Sequence, residues 1–324
     1  MALQNREKER VSLINFLSVL GLAALFMLTW LGELFLTGGE MAKSLLLAGG
    51  LTLLFAVLLV VLVRIKSASS NFRVWAIVEI VVLILYAVAA ILLSRPSRQF
   101  FEVTANKAEI QQQAKADFAA IRDVFTQYEN FENDALSNTR RDILASIGGT
   151  RDKALADFYA AMKINPKDNE NVNRYCDIQK EKLLGNKYEQ YKKENLQQVD
   201  TWEQAVKDWS ILRIPDIAND AQVVRDIVKA LSDYSKKADL PAIVSDGKTH
   251  SLQSTKQVFN MDVPVLGLRD KLEAPSASAL LLSILILLAV HGLILMSFFF
   301  GYRNAKQGFK IDVRDGDDEN TIYL

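Results

Sequence analysis

The chain has 324 residues, with 38 basic and 38 acidic side chains, and half of its residues are apolar. The charges are unevenly placed: 27 basic and 28 acidic side chains fall between Arg95 and Glu273, while the apolar residues gather in runs toward the two ends. This excludes a uniform soluble globule and a disordered chain. Neutrality argues against a nucleic-acid partner, which requires a basic stripe, and the single cysteine, Cys176, excludes an internal disulfide.

Four apolar runs are each long enough to cross a hydrocarbon core of about 30 Å, which takes about 20 helical residues. They cover Val11–Leu36, Ser44–Val63, Phe72–Leu93 and Ala277–Phe300. The first is too long for the apolar region of a cleaved signal peptide, and no convincing small-residue cleavage site follows Thr37-Gly38-Gly39. The fold class is therefore all-α: a polytopic membrane protein with four transmembrane helices and a large helical domain inserted between the third and fourth.

Basic residues near the span ends set the orientation. One side gathers Arg6, Lys8, Arg10, Arg64, Lys66 and Arg73, then Arg303, Lys306, Lys310 and Arg314. The other has Lys43 in the short loop and Arg95, Arg98, Lys107, Arg269 and Lys271 beside the long one. Both termini are expected in the cytoplasm of an inner (plasma) membrane protein. The division is 1–10 cytoplasmic, 11–94 a three-helix membrane region, 95–275 an external helical domain, 276–301 the fourth span and 302–324 an acidic cytoplasmic tail. An inverted orientation would leave this fold unchanged. On the second span Ala48, Thr52 and Ala56 recur every four residues, a spacing that lets helices approach closely. Packing inside the bundle is favoured over a dimer seam.

In the inserted domain Ile110, Ala114, Phe118, Ile121, Phe125 and Tyr128 step by three and four, as one face of a helix must. That helix is predicted from Pro96 to about Ile147, ending at Gly148-Gly149. A second is expected over Arg151–Lys163, broken by Asn165-Pro166, and a third over Asn169–Asn195. Asp200 and Glu203 have the spacing of a capping box opening a fourth. There Trp202, Val206, Trp209 and Leu212 share a face, and Pro215 closes it. A fifth is expected over Asp220–Lys237. Leu240–Pro275 reads as irregular with a short hairpin, because Val263-Pro264-Val265 cannot be a central strand.

Chemistry is sparse. The two histidines, His250 and His291, are far apart, and no zinc spacing, phosphate-binding glycine loop, nucleophile elbow or dinucleotide fingerprint occurs. No catalytic residue, cofactor or metal is expected, and Cys176 reads as an unreactive thiol. Glu79 asks for an explanation. It lies within the third span, where a charge costs about 2.5–3.5 kcal/mol on insertion scales and so faces protein or water. Ala76, Val82, Leu83, Tyr86 and Ala90 share its face, and His291 falls at a similar depth on the fourth span. A buried structural hydrogen bond, a partner contact and a proton path are the alternatives. Trp202 and Trp209 are read first as core and second as a partner or ligand surface. The apolar C-terminus ending at Leu324 is a further candidate for docking on a partner.

These features favour a non-enzymatic membrane scaffold or assembly subunit of a larger envelope complex, such as a secretion or trans-envelope machine. The expected partners are the lipid bilayer and other envelope proteins, in a homo- or hetero-oligomer. The alternatives are an accessory subunit of a sensor with a ligand-binding outer bundle, and an oligomeric channel or transporter using Glu79.

Overall fold

The computed structural model describes residues 2–66, 72–148, 151–255, 257–275 and 279–300. Among them the fold is all-α apart from one hairpin. In chain order the helices are α1 (Ala2–Leu36), α2 (Met41–Lys66), α3 (Phe72–Leu92), α4 (Arg95–Ala105), α5 (Lys107–Ala145), α6 (Lys153–Ala161), α7 (Asn169–Leu184) and α8 (Asn186–Lys207). After them come α9 (Ile214–Asp220), α10 (Val224–Ser235), α11 (Leu268–Glu273), α12 (Leu280–Ile294) and α13 (Met296–Phe300). Strands β1 (Pro241–Ser245) and β2 (His250–Thr255) pair antiparallel between α10 and α11. Two compact units result. One takes the chain up to Ile110, the stretch Ile211–Asp216 and the chain from Arg269 onward; the other takes Gln111–Ser210 and Ile217–Leu268.

In the first unit, three helical stretches are long and apolar enough to cross a membrane: Leu13–Leu36, Met41–Lys66 and Val74–Ala105. Their outer faces expose Leu46, Leu53, Val57, Ile77, Ile84 and Ile91, which suits a lipid solvent. α1 stops because Gly38 (φ 65°) and Gly39 (φ 88°) turn left-handed. The Gly39 N–H then donates to Leu34 O (2.9 Å), the wide bond of a Schellman close. The inward face of α2 carries Ala48, Phe55, Leu59 and Leu62, all buried, with Thr52 and Ala56 partly buried beside them. This core is completed by Leu25 of α1, Tyr86 of α3 and Val290 and Ile294 of α12.

The fourth apolar run departs from one continuous helix. α12 has 15 residues and is separated from α13 at Leu295, so α12 alone is shorter than the length that spans a bilayer. The physical reason lies on α1. A Cβ on Gly21 would sit 2.8 Å from the backbone N of Ile294, so only glycine lets the two helices come this close. At that crossing Ser18 Oγ accepts the backbone N–H of Ser297 (3.0 Å). A side chain inserted into a helical ladder in this way kinks the helix.

The predicted helix from Pro96 to Ile147 is two helices. Asn106 turns its side-chain amide onto Glu102 O (2.7 Å), competing with the ladder, and α4 ends there. The third predicted helix is likewise divided, at Gly185, where a Cβ would meet Glu181 O at 2.3 Å. Asp200 and Glu203 do not open a helix. They lie inside α8, whose carboxylates both accept from Arg122 Nη2 of α5 at 2.7 Å. Helix-interior acids at this spacing satisfy a cation across the interface, and sequence spacing alone does not separate that from a cap. α8 ends at Lys207, before Trp209, which takes a left-handed φ of 55°. The fifth predicted helix is α10 preceded by a 3-10 turn at Ala221–Val223, and a separate α9 starts at Ile214, so Pro215 stands in the first turn of a helix and does not close one. The expected hairpin is present. Asp246 makes its turn by accepting from the backbone N–H groups of Lys248 (2.9 Å) and Thr249 (2.5 Å). Gly149 lies outside the described residues.

The second unit is built on α5. All six residues of its predicted apolar stripe are at most 1 % exposed. The stripe supports aromatic packing: Phe118 on Trp202 (6.3 Å between centroids), Tyr128 on Tyr188 (5.1 Å) and Tyr128 edge-on to Phe259 (5.3 Å). A second cluster under the hairpin joins Ile143, Leu155, Val172, Leu183, Leu240 and Ile243. Cys176 is buried against that cluster, and burial pushes its thiol above the usual range. We expect Cys176 to react with a maleimide at least about ten-fold slower in the folded protein than in urea at pH 7.5. Equal rates in a stopped-labelling assay would contradict its burial.

Candidate functional site

The apolar bundle of the first unit holds several sets of polar side chains that join different helices. The innermost is Tyr86 of α3, whose hydroxyl lies 2.9 Å from His291 Nδ1 of α12. Phe55 of α2 packs on both rings, at 5.1 Å from Tyr86 and 5.0 Å from His291. Tyr86 is 2 % exposed and His291 is half-buried. When Tyr86 donates, the neutral imidazole carries its proton on Nε2. The arrangement fixes three helices in register and keeps a titratable ring in an apolar setting.

Glu79 lies two turns before Tyr86 on α3 and is half-buried. The Nδ1 hydrogen bond of His291 goes to Tyr86, so the structure joins α3 and α12 through the tyrosine on the Glu79 face. The signal was present in the sequence, since Tyr86 shares that face. Tyr86→Phe should lower the unfolding free energy of the bundle by about 1 kcal/mol, the scale of interhelical hydrogen bonds in membranes. Denaturant titration of the protein in micelles checks this, and an effect below a few tenths would show that the pair fastens nothing.

The second set lies where α12 breaks. Ser18 Oγ and Ser297 Oγ are 2.7 Å apart, and Ser297 Oγ also donates to Asn15 Oδ1 (3.0 Å). Lys66 Nζ then donates to the carbonyls of Phe298 (2.5 Å) and Phe299 (3.2 Å), covering acceptors that α13 leaves open at its end. The third set is the contact of α1 with α4, where Thr29 Oγ1 and Ser97 Oγ meet at 2.8 Å, both fully buried. Sequence reasoning passed over these serines. The only signal for Ser18, Thr29 and Ser297 was a hydroxyl inside an otherwise apolar run, and Ser97, between Pro96 and Arg98, carried none.

In the second unit Trp202 is 4 % exposed and lies in the aromatic core, whereas Trp209 is half-buried just past α8. Leu324 and the acidic tail, 302–324, lie outside the described residues. A cleft of about 420 Å³ is lined by Phe158, Met162, Leu240, Leu252 and Val258. The charges at its mouth are already paired, Lys236 with Asp233 and Asp239 with Lys182, each at 2.8 Å. A groove of similar volume runs between α5 and α8, lined by Ala114, Phe118 and Val206 with Lys115 and Lys207. Among the described residues no three His, Cys, Asp or Glu side chains come together as a metal site requires.

The fold and these sites define the chain at the level of class: a helical protein with three helices long and apolar enough for a membrane, joined to a helical unit with an aromatic core. No protein-family model, no curated protein and no solved structure matches this chain.

Proposed function

We propose that this chain is a non-enzymatic integral membrane scaffold, an assembly subunit of a larger cell-envelope complex. α12 and α13 together serve as a fourth span in this reading. Both termini are cytoplasmic, and the helical insertion of residues 95–275 faces outward to meet other envelope proteins. The observation that carries it is how the polar groups are used: they fasten helices to one another. Arg122 joins α5 to α8, and Glu129 takes both Tyr188 (2.9 Å) and Lys192 (2.5 Å) of α8. Asp239 is held by Gln179 and Lys182 of α7. The test is purification of the tagged protein from its native membrane in mild detergent, followed by mass spectrometry. Other envelope proteins in fixed ratio support the proposal; a chain that always purifies alone overturns it.

Glu79 favours a second reading, an oligomeric channel or transporter, because a half-buried carboxylate on an apolar helix marks ion paths in many membrane proteins. The scaffold reading expects Glu79→Gln to leave proton and ion flux through reconstituted liposomes at the wild-type level. A drop of about ten-fold or more would transfer the assignment to transport.

A further inference from the structure

We propose that the second unit carries a self-recognition surface, in which the extended segment Asp262–Val265 of one copy docks in the α5–α8 groove of a second copy. The segment is unusual in its exposure. Val265 is 93 % exposed, and the other large apolar side chains above 70 %, namely Leu46, Ile91, Leu92 and Leu281, belong to the apolar stretches of the first unit. Those four lie on apolar helices of the first unit, whereas Val265 lies in a loop of the second. The segment is also pinned at both ends. Phe259 is buried and donates its backbone N–H to Ser235 Oγ (2.9 Å). Beyond it Leu266 is buried, and the N–H groups of Gly267 and Leu268 donate to the Asp117 carboxylate at 3.1 and 2.7 Å. Pro264 stiffens the middle and removes a backbone donor. A segment held this way loses little freedom on docking.

The groove complements it in charge and polarity. Ala114, Phe118 and Val206 close the floor. The Gln111 amide seals one end by donating to the carbonyls of Val206 (2.9 Å) and Lys207 (3.1 Å). Lys115 and Lys207 form no ion pair among the described residues, and neither does Asp262, whereas Glu203 of the same groove shares Arg122 with Asp200. One copy therefore offers a carboxylate followed by two valines, and the other offers two unpaired lysines at the rim of a groove whose floor side chains, Ala114, Phe118 and Val206, are themselves buried. The cleft beside Lys236 and Asp239 is the poorer fit, because its charges are already paired.

The two surfaces flank one helix at the same level. Gln113 and Asp117 of α5 bear on the segment side, since a Cβ on Gly267 would meet the Gln113 amide at 2.7 Å, while Ala114, Lys115 and Phe118 face the groove. Such a contact is heterologous: each copy uses its segment on one neighbour and its groove on another, so association closes into a ring or continues as a row. Confinement to a membrane and ring closure let contacts of modest area add up. This inference deepens the assembly reading and fails separately from it.

The test follows energy transfer between donor- and acceptor-tagged full-length copies in liposomes of varied protein-to-lipid ratio. Wild type should associate. Asp262→Lys alone, and Lys115→Glu with Lys207→Glu, should each weaken association about ten-fold, and the combined triple variant should recover it. These side chains are on the surface, so folding is retained, which the recovery itself verifies. A wild-type protein that stays monomeric, single reversals without effect, or a triple variant that does not recover would each overturn the proposal. Cross-linking from Val265→Cys to copies carrying Lys207→Cys in native membranes identifies the occupant; a cross-link only to a different protein also overturns it. Co-purification with other proteins that survives Asp262→Lys, without energy transfer, would keep the scaffold reading and remove this contact alone.

Discussion

Gly32→Ala should destabilise the first unit by about 3 kcal/mol, the upper part of the range for overpacking a tight interface. The added Cβ would lie 1.7 Å from Pro96 O and 2.6 Å from its carbonyl carbon, both backbone atoms that no rotamer change can move aside. α1 and α4 must then separate, and the buried Thr29–Ser97 hydrogen bond opens with them. The same substitution at Gly49 meets nothing within 4 Å. There alanine should be neutral or stabilise by about 0.5–1 kcal/mol, its helical advantage over glycine. Denaturant titration in micelles reads both. Disulfide formation between Thr29→Cys and Ser97→Cys reads the geometry directly and should fall several-fold with Gly32→Ala. Equal stability of the two alanine variants would mean that α1 and α4 do not meet at Gly32.

Asp117→Ala should cost the second unit about 3 kcal/mol. The carboxylate is 3 % exposed and accepts the N–H groups of Gly267 and Leu268, along with Gln113 Nε2 at 2.8 Å. A hydrogen bond to a charged partner contributes about 1.5–3 kcal/mol, and its removal leaves backbone donors stranded away from water. Leu268 is the first residue of α11, so Asp117 works as a helix cap supplied from far away in sequence. Asp117→Asn keeps one acceptor and should lose about half as much. Thermal unfolding followed by tryptophan fluorescence should shift downward by about 6–12 °C for alanine. A shift below 2 °C would show that the return of the chain to the bundle does not depend on this cap.

Several elements were legible from local pattern. The stripe from Ile110 to Tyr128 identified the buried face of α5 because a helix repeats its face every three to four residues whatever it packs against. A short hairpin was expected within Leu240–Pro275 without its position; the Asp246 turn that makes it, and the Gly38-Gly39 stop of α1, act through a few neighbouring residues. Two of the failures share a different cause. Asp200 and Glu203 have cap-like spacing, yet their partner, Arg122, is on another helix. The break at Leu295 is invisible in an apolar run, since it depends on Gly21 and Ser18 of α1. The division at Gly185 was missed because glycine inside a helical pattern is tolerated often enough to be read through.

The candidate site divides the same way. Glu79 and His291 stood out by being polar among apolar neighbours, a property of the chain alone. That His291 bonds to Tyr86, and that Phe55 packs on both, depends on how α2, α3 and α12 are rotated about their axes. Likewise Trp202 is core because Phe118 lies across from it, and Val265 is exposed because Phe259 and Leu266 on either side are drawn inward.

By itself the amino-acid sequence determined the all-α class, the apolar lengths suited to a membrane, and the buried stripe of the long helix. Those follow from composition and period, which act over a few turns of chain. Only the tertiary structure decided where the fourth apolar run breaks, which carboxylates fasten and which cap, and which polar groups meet inside the bundle. Those depend on atoms brought within about 3 Å from distant parts of the chain, where one missing Cβ or one hydroxyl settles the outcome.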